Sequence, residues 1–320
     1  SAGAWTYTAN TAHNEFAAGS NYTDSITVAT ADGTTQVITV TIAGTNDAAV
    51  ITGTSTASLT ETNAVLTASG TLTASDVDSS AAFVAQSAVA GSNGYGVFSI
   101  NSAGAWTYTA NTAHNEFAAG SNYTDSITVA TADGTTQVIT VTIAGTNDAA
   151  VITGTSTASL TETNAVLTAS GTLTASDVDS SAAFVAQSAV AGSNGYGVFS
   201  IDSAGAWTYT ANTAHNEFAA GSNYTDSITV ATADGTTQVI TVTIAGTNDA
   251  AVITGTSTAS LTETNAVLTA SGTLTASDVD SSAAFVAQSA VAGSNGYGVF
   301  SINSAGAWTY TANTAHNEFA

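Results

Sequence analysis

Apolar residues alternate with threonine and serine along most of this chain. Between Gln137 and Ile143 the alternation turns Ile139, Val141 and Ile143 to one side and Thr140 and Thr142 to the other, the period of two that marks a half-buried β-strand. Ser126–Ala130 follows the same rule, and Ala132–Thr135 between the two runs carries the Asp133-Gly134 pair of a tight hairpin turn. Upstream, Tyr95–Ile100 and Ala105–Thr109 flank Asn101–Gly104 as a second predicted hairpin. Further strands are expected at Leu66–Ala74, Phe83–Ser87, Ala150–Thr153 and Ser159–Thr161. No amphipathic helix competes with them. Short strands at this density, separated by Gly, Asn, Asp and Ser, predict an all-β chain of antiparallel Greek-key sandwiches. Trp106 and Tyr108, two apart on one strand, share a face and are expected in its core rather than on a sugar-stacking platform.

The pattern then recurs almost letter for letter. One long segment starts at Ser1, Ser102 and Ser203 and begins again at Ser304, a period of 101 residues, and aligned copies differ only where Asn101, Asp202 and Asn303 correspond. That position opens a turn, where Asn and Asp both accept from a following backbone N–H, so the exchange is expected to be neutral. Solenoid units repeat at about 20 to 50 residues, so a period this long predicts a tandem array of domains, each with its own core. Complete sandwiches are expected at 49–149 and 150–250, with the C-terminal half of a module at 1–48 and the N-terminal part of another at 251–320. The sequence reads as a window on a longer array.

Composition adds a constraint that the pattern alone does not carry. Hydrophobic residues make up 44%, enough for packed cores, but there are 23 carboxylates, four His and no Lys or Arg, for a formal net charge of −23. Such a polyanion is repelled by nucleic acid and by anionic membrane surfaces. Counter-charge has to come from solution, and divalent cations are the expected partners. The blander alternative is that the acids keep a Thr- and Val-rich chain soluble. Cysteine is absent, which excludes disulfides and thiolate metal sites. No apolar run reaches the roughly 18 residues of a membrane-spanning helix, so no membrane insertion is expected.

Four places stand out within a period where acids fall between strands: Glu61, the pair Asp76 and Asp78, Asp133, and Asp148 beside Asn147. Alternate residues of an extended segment share a face, so Asp76 and Asp78 can converge, at a repulsive cost unless a cation lies between them. Calcium takes oxygen ligands of the kinds on offer. Solvated loop acids remain the alternative for any one of them.

The segments Gly70–Asp78, Gly94–Ile100, Ala103–Thr109, Thr124–Val129, Asp133–Gln137 and Gly145–Asp148 together resemble a VCBS repeat over the whole period. The resemblance implies cadherin-like or immunoglobulin-like sandwiches in the extender region of a large bacterial surface adhesin exported by type I secretion, stiffened by calcium and serving adhesion or biofilm formation. It implies an extracellular, cell-surface location. Tyr123–Val129, Ala132–Gly134 and Val141–Asp148 are similar to the last two cadherin strands and the calcium-binding linker. By that similarity one junction would draw on Glu61, Glu116, Asn147, Asp148, Asp177, Asp179 and Asp234. The next would draw on Glu162, Glu217, Asn248, Asp249, Asp278 and Asp280, and the earlier one on Glu15, Asn46, Asp47, Asp76, Asp78 and Asp133. The chain departs from the cadherin linker at Gly145 and Ala149, lacks an acidic neighbour to Glu116, and has Ala150 where the repeat usually has Pro. Fewer ions per junction, with rigidity resting on metal and packing, is the expected consequence.

No Gly-x-Ser-x-Gly elbow, His-Glu-x-x-His pair or phosphate-binding glycine loop occurs, so no enzyme is expected. His114 is read as a loop residue, because one His without Cys makes a poor transition-metal set. Two other readings stay open. A polymer-forming filament or sheath, with further copies packing laterally, is motivated by the strand edges of the half-modules. A carbohydrate-binding module would need exposed aromatics.

Overall fold

The computed structural model describes residues 3–315. The chain divides into two compact units, Ser1–Asp148 with Asp177–Ser180, and Ala149–Ser176 with Ser181–Ala320. The described residues contain strands and turns throughout, and no helix long and apolar enough to cross a membrane.

The first unit opens with the hairpin β1 (Asn21–Ala29) and β2 (Thr35–Ala43), followed by β3 (Val50–Gly53), β4 (Thr56–Thr60), β5 (Thr67–Ser75), β6 (Gln86–Ala90), β7 (Gly96–Ile100), β8 (Ala105–Ala110), β9 (Asn122–Ala130) and β10 (Thr136–Ala144). These last eight strands form a sandwich of a five-stranded sheet, in the order β3-β5-β8-β7-β6, and a three-stranded sheet, β4-β10-β9. In the second unit the same eight strands recur from Val151 to Ala245 with the same pairing, and five more between Val252 and Ala312 repeat the five-stranded sheet.

Period-two alternation places the core as the sequence predicts. Phe98 and Ile100 on β7, Trp106 and Tyr108 on β8, Ile127 and Val129 on β9, and Ile139, Val141 and Ile143 on β10 meet between the sheets. Each such side chain, fully enclosed, contributes about 2 kcal/mol. Gly70 lies opposite Trp106 in the ladder, and a Cβ there would fall 2.6 Å from the indole ring, so glycine is what lets the ring lie flat on β5. The indole N–H donates to the Thr54 carbonyl at 2.7 Å. With both rings buried, the sugar-platform reading is left with Tyr95 and Tyr123 in this module. Tyr95 and Tyr123 are half-buried and pack on the same core.

The Asp133-Gly134 turn forms where the sequence predicts it, and two local outcomes differ from the sequence reading. The Asp133-Gly134 hairpin closes as a three-residue loop: Thr131 pairs with Thr135, the Gly134 amide donates to Thr131, and only Gly134 takes a positive φ, of 92°. Phe83 is a single bridge to Thr131 rather than the start of a strand, and β6 begins at Gln86, because the Phe83 ring turns into the core. Finally, β4 pairs with β10 in parallel, from Thr56↔Thr140 to Thr60↔Ala144. The chain breaks after Gly53, at φ 100°, and passes from the five-stranded sheet to the edge of the other without reversing direction. The exchange at 101 and 202 keeps the same turn hydrogen bonds: Asn101 Oδ1 accepts from the Ala103 and Ala105 amides, and Asp202 Oδ1 accepts from Ala204 and Ala206.

One core residue is an acid. Asp125 continues the inward face of β9 and is fully buried. Its Oδ1 accepts from the Asn93 amide at 2.9 Å and its Oδ2 from the Gly96 amide at 3.0 Å, so it pins the β6–β7 loop to the opposite sheet. The Tyr108 hydroxyl lies close by, and burial followed by the Asp125 charge pushes its ionisation up. The equivalent Tyr209 is pushed up to about 12 by burial and by Asp226.

Two outcomes follow. Asp125→Ala strips the acceptor from two inward amides, each worth about 1 to 3 kcal/mol, and is expected to cost about 3 kcal/mol in denaturant unfolding of the full chain. A loss under about 0.5 kcal/mol would show that the loop does not depend on the carboxylate. For Tyr209 the folded pKa lies above the unfolded value of 10, so the folded state holds its proton more tightly; its contribution is complete below pH 10 and is lost as pH rises towards 12. Tyr209→Phe is therefore expected to flatten the alkaline limb of the stability profile relative to the parent chain while leaving stability at pH 7 little changed.

Candidate metal centre

After β10 the chain runs extended from Gly145 to Ala150, and the carboxylates gather around this stretch. Glu61 follows β4 directly and prolongs the parallel ladder, its amide donating to the Ala144 carbonyl at 2.8 Å. That pairing buries its side chain, which is only 1% exposed. The Thr146 hydroxyl donates to Glu61 Oε2, but Oε1 has no donor. Asp148 gives its amide to Asp179 Oδ1 at 3.3 Å, while Asp148 Oδ2 and Asp179 Oδ2 are buried with no donor. Asp177 is differently placed: its Oδ1 accepts the Asp179 and Ser180 amides and its Oδ2 the Ser180 hydroxyl, which folds the loop.

Glu61, Asp148, Asp177 and Asp179 therefore converge within the first unit, and the field they create is visible in their ionisation. Burial, then the charges of Glu61 and Asp177, raise the pKa of Asp148. Asp179 is raised by burial and by the adjoining Asp177 carboxyl. The second unit contains the same group. Glu162 Oε1, Asp249 Oδ2 and Asp280 Oδ2 lack donors, the Asp249 amide donates to Asp280, and Asp278 folds its own loop. Around Asp47 the first unit repeats part of it: the Asp47 amide donates to Asp78 Oδ2, Asp78 Oδ1 is orphaned, and Asp76 accepts from Asp78 and Ser79.

The remaining candidates stand elsewhere or are already engaged. Asn46, Asn147 and Asn248 are exposed, each donating its side-chain amide to the carbonyl of the next residue. Glu116 lies with His114, its Oε1 2.7 Å from Nδ1, and that hydrogen bond chiefly lowers its pKa; Glu217 with His215 and Glu15 with His13 do the same. His114 lies in a loop, as expected, but is buried there, stacked on Phe117 with its Nε2 2.7 Å from the Tyr95 carbonyl oxygen. Asp133 and Asp234 hold the Asp-Gly turns and accept from the Ala49 and Ala150 amides.

One residue has no counterpart in the sequence reading. Asn115 Oδ1, like Asn216 Oδ1, is buried without a donor, on the loop whose Phe117 carbonyl presses against Gly145. An amide in a polar loop gives no sequence signal of this.

Among the described residues no group of three or more His, Asp or Glu is placed so that it could hold a metal ion. What they present is a set of buried, donorless carboxylate oxygens. Carboxylate oxygens are the ligand type of hard cations rather than of thiolate- or imidazole-preferring metals.

Residues 46–145 and 147–246 match the family described as bacterial cadherin-like domain. No curated protein matches the chain by sequence. Among solved structures, protocadherin gamma B2 extracellular cadherin domains 1–5 is 12% identical over 93% of this chain, with a TM-score of 0.43, and this chain spans 66% of its length. Mouse cadherin-23 EC22–24 is 14% identical over 84% of this chain and 89% of that one, with a TM-score of 0.40. Drosophila N-cadherin EC1–4 is 16% identical over 93% and 76%, with a TM-score of 0.31. At such scores these likenesses carry no argument; the family match does.

The electrostatics give Glu61→Gln opposite effects in two conditions. In chelator it removes a buried charge facing like charges and supplies a donor, so the melting temperature is expected to rise. In saturating calcium it removes a ligand, so the melting temperature is expected to fall. The same direction in both conditions would count against a cation at Glu61.

Proposed function

The chain belongs to the bacterial cadherin-like domain family, and from that premise we propose that it is a structural extender: a row of sandwiches, 49–149 and 150–250 complete and 1–48 and 251–320 in part, that spaces a surface adhesin from the cell. In this reading the modules are VCBS-type repeats of an extracellular, type I-secreted bacterial protein serving adhesion or biofilm formation, and Ca²⁺ stiffens each joint. The observation that supports it is the repeated set of donorless buried oxygens at Glu61, Asp148 and Asp179 and at Glu162, Asp249 and Asp280. No Lys or Arg competes for them. A dication between such carboxylates removes their mutual repulsion and repays their burial. Because each ligand set combines a β4-type loop, a linker and a β5–β6 loop, occupancy would fasten successive modules together.

No catalytic role is proposed. His114 and His215 are buried with both ring nitrogens engaged.

Calcium titration of the full chain, followed by melting and by small-angle scattering, tests the reading. Calcium is expected to raise the melting temperature and lengthen the particle, chelator to reverse both, and Asp148→Ala to blunt the response. Unchanged melting and dimensions across the titration would overturn it.

A further inference from the structure

The acids at the linkers divide by what already occupies their oxygens. Asp133 Oδ1 accepts the Thr131 hydroxyl and the Thr135 amide, and its Oδ2 accepts the Thr135 hydroxyl at 2.7 Å and the Ala49 amide at 3.0 Å. Asp234 repeats the arrangement with Thr232, Thr236 and the Ala150 amide, also at 3.0 Å, and Ala150 N lies 3.1 Å from the Thr236 hydroxyl as well. A carboxylate offers about four acceptor positions, so four donors leave no lone pair for a cation. The hydroxyls and amides also hold both carboxyls well below the usual carboxylate range, the Thr131 and Thr232 hydroxyls most of all. Ala49 and Ala150 are themselves buried, which shields the bond from water.

We propose that Asp133 and Asp234 are clasps rather than cation ligands: each fastens the last linker residue, Ala49 or Ala150, to an Asp-Gly turn by a charge-assisted hydrogen bond that needs no metal. The linker then has two kinds of fastening. Removing the cation loosens the stretch held by Asp78, or by Glu61 and Asp179, while Ala49 and Ala150 stay docked. A proline at either position would have no N–H to give. The inference rests on the cation reading only for the contrast between the two sets of acids.

Amide exchange and calcium counting on the full chain test it. In chelator the Ala150 amide is expected to exchange within about threefold of its rate in calcium, while the Asp148 amide exchanges at least about tenfold faster. Asp234→Asn is expected to speed exchange at Ala150 by about tenfold or more and to leave the number of bound calcium ions unchanged. Fewer ions bound by Asp234→Asn, or an Ala150 amide that loses protection in chelator, would overturn the clasp. Should Asp234→Asn fail to fold, Thr236→Val, which removes one hydroxyl from the clasp, carries the same comparison. A chain that binds no calcium at all defeats the extender's cation joint, yet Ala150 protection still decides the clasp.

Discussion

A chain without Lys or Arg has one rule for every carboxylate it takes out of water: the charge must be met by N–H and O–H donors, or by an ion from outside. Much of the architecture follows from how each acid satisfies that rule. Asp125 is met by loop amides and in return fixes the β6–β7 loop across the sandwich. Asp76 and Asp177 are met by amides of their own loops, which they fold. Asp133 is met by threonine hydroxyls and a linker amide. Glu61, Asp148 and Asp179 are left with unmet oxygens, and these three lie together. An unmet buried charge is costly, and a cation at such a cluster, as proposed above, would offset that cost.

The fold was largely legible because alternation with a period of two is a strong signal over nine-residue runs such as Thr136–Ala144. The parallel pairing of β4 was not, since pattern fixes which face a strand buries but not which neighbour it chooses. Asp125 escaped for a related reason: reading the strand from Ser126 ended the apolar phase one residue short of an inward acid that keeps it. At the linkers, the cadherin resemblance implied a junction that includes Asp148 and Asp179, and the Asp148 amide does donate to Asp179. It did not foresee that Glu116 would turn to a histidine two residues away, a contact set by the left-handed backbone of His114, at φ 62°. Nor does spacing reveal which carboxylates are already saturated by hydroxyls.

The repeat also supplies its own control on what burial requires. Ile127 in the complete sandwich is 8% exposed, whereas Ile26, the same residue in the same strand sequence, is 62% exposed. Phe98 is 1% exposed and its counterpart Phe300 46%. The same strand sequence is enclosed where a facing sheet covers it and open where none does.

The parallel pairing of β4 with β10 has a mechanical consequence. These strands lie near the two ends of a module, and because they run the same way, a pull on those ends drives them in opposite directions along their common axis. The ladder from Thr56↔Thr140 to Thr60↔Ala144 is then loaded in shear, all its hydrogen bonds at once, rather than unzipped one after another. Glu61, bonded to Ala144 at the end of that ladder, carries the same load, so a cation held there would sit on the line of force.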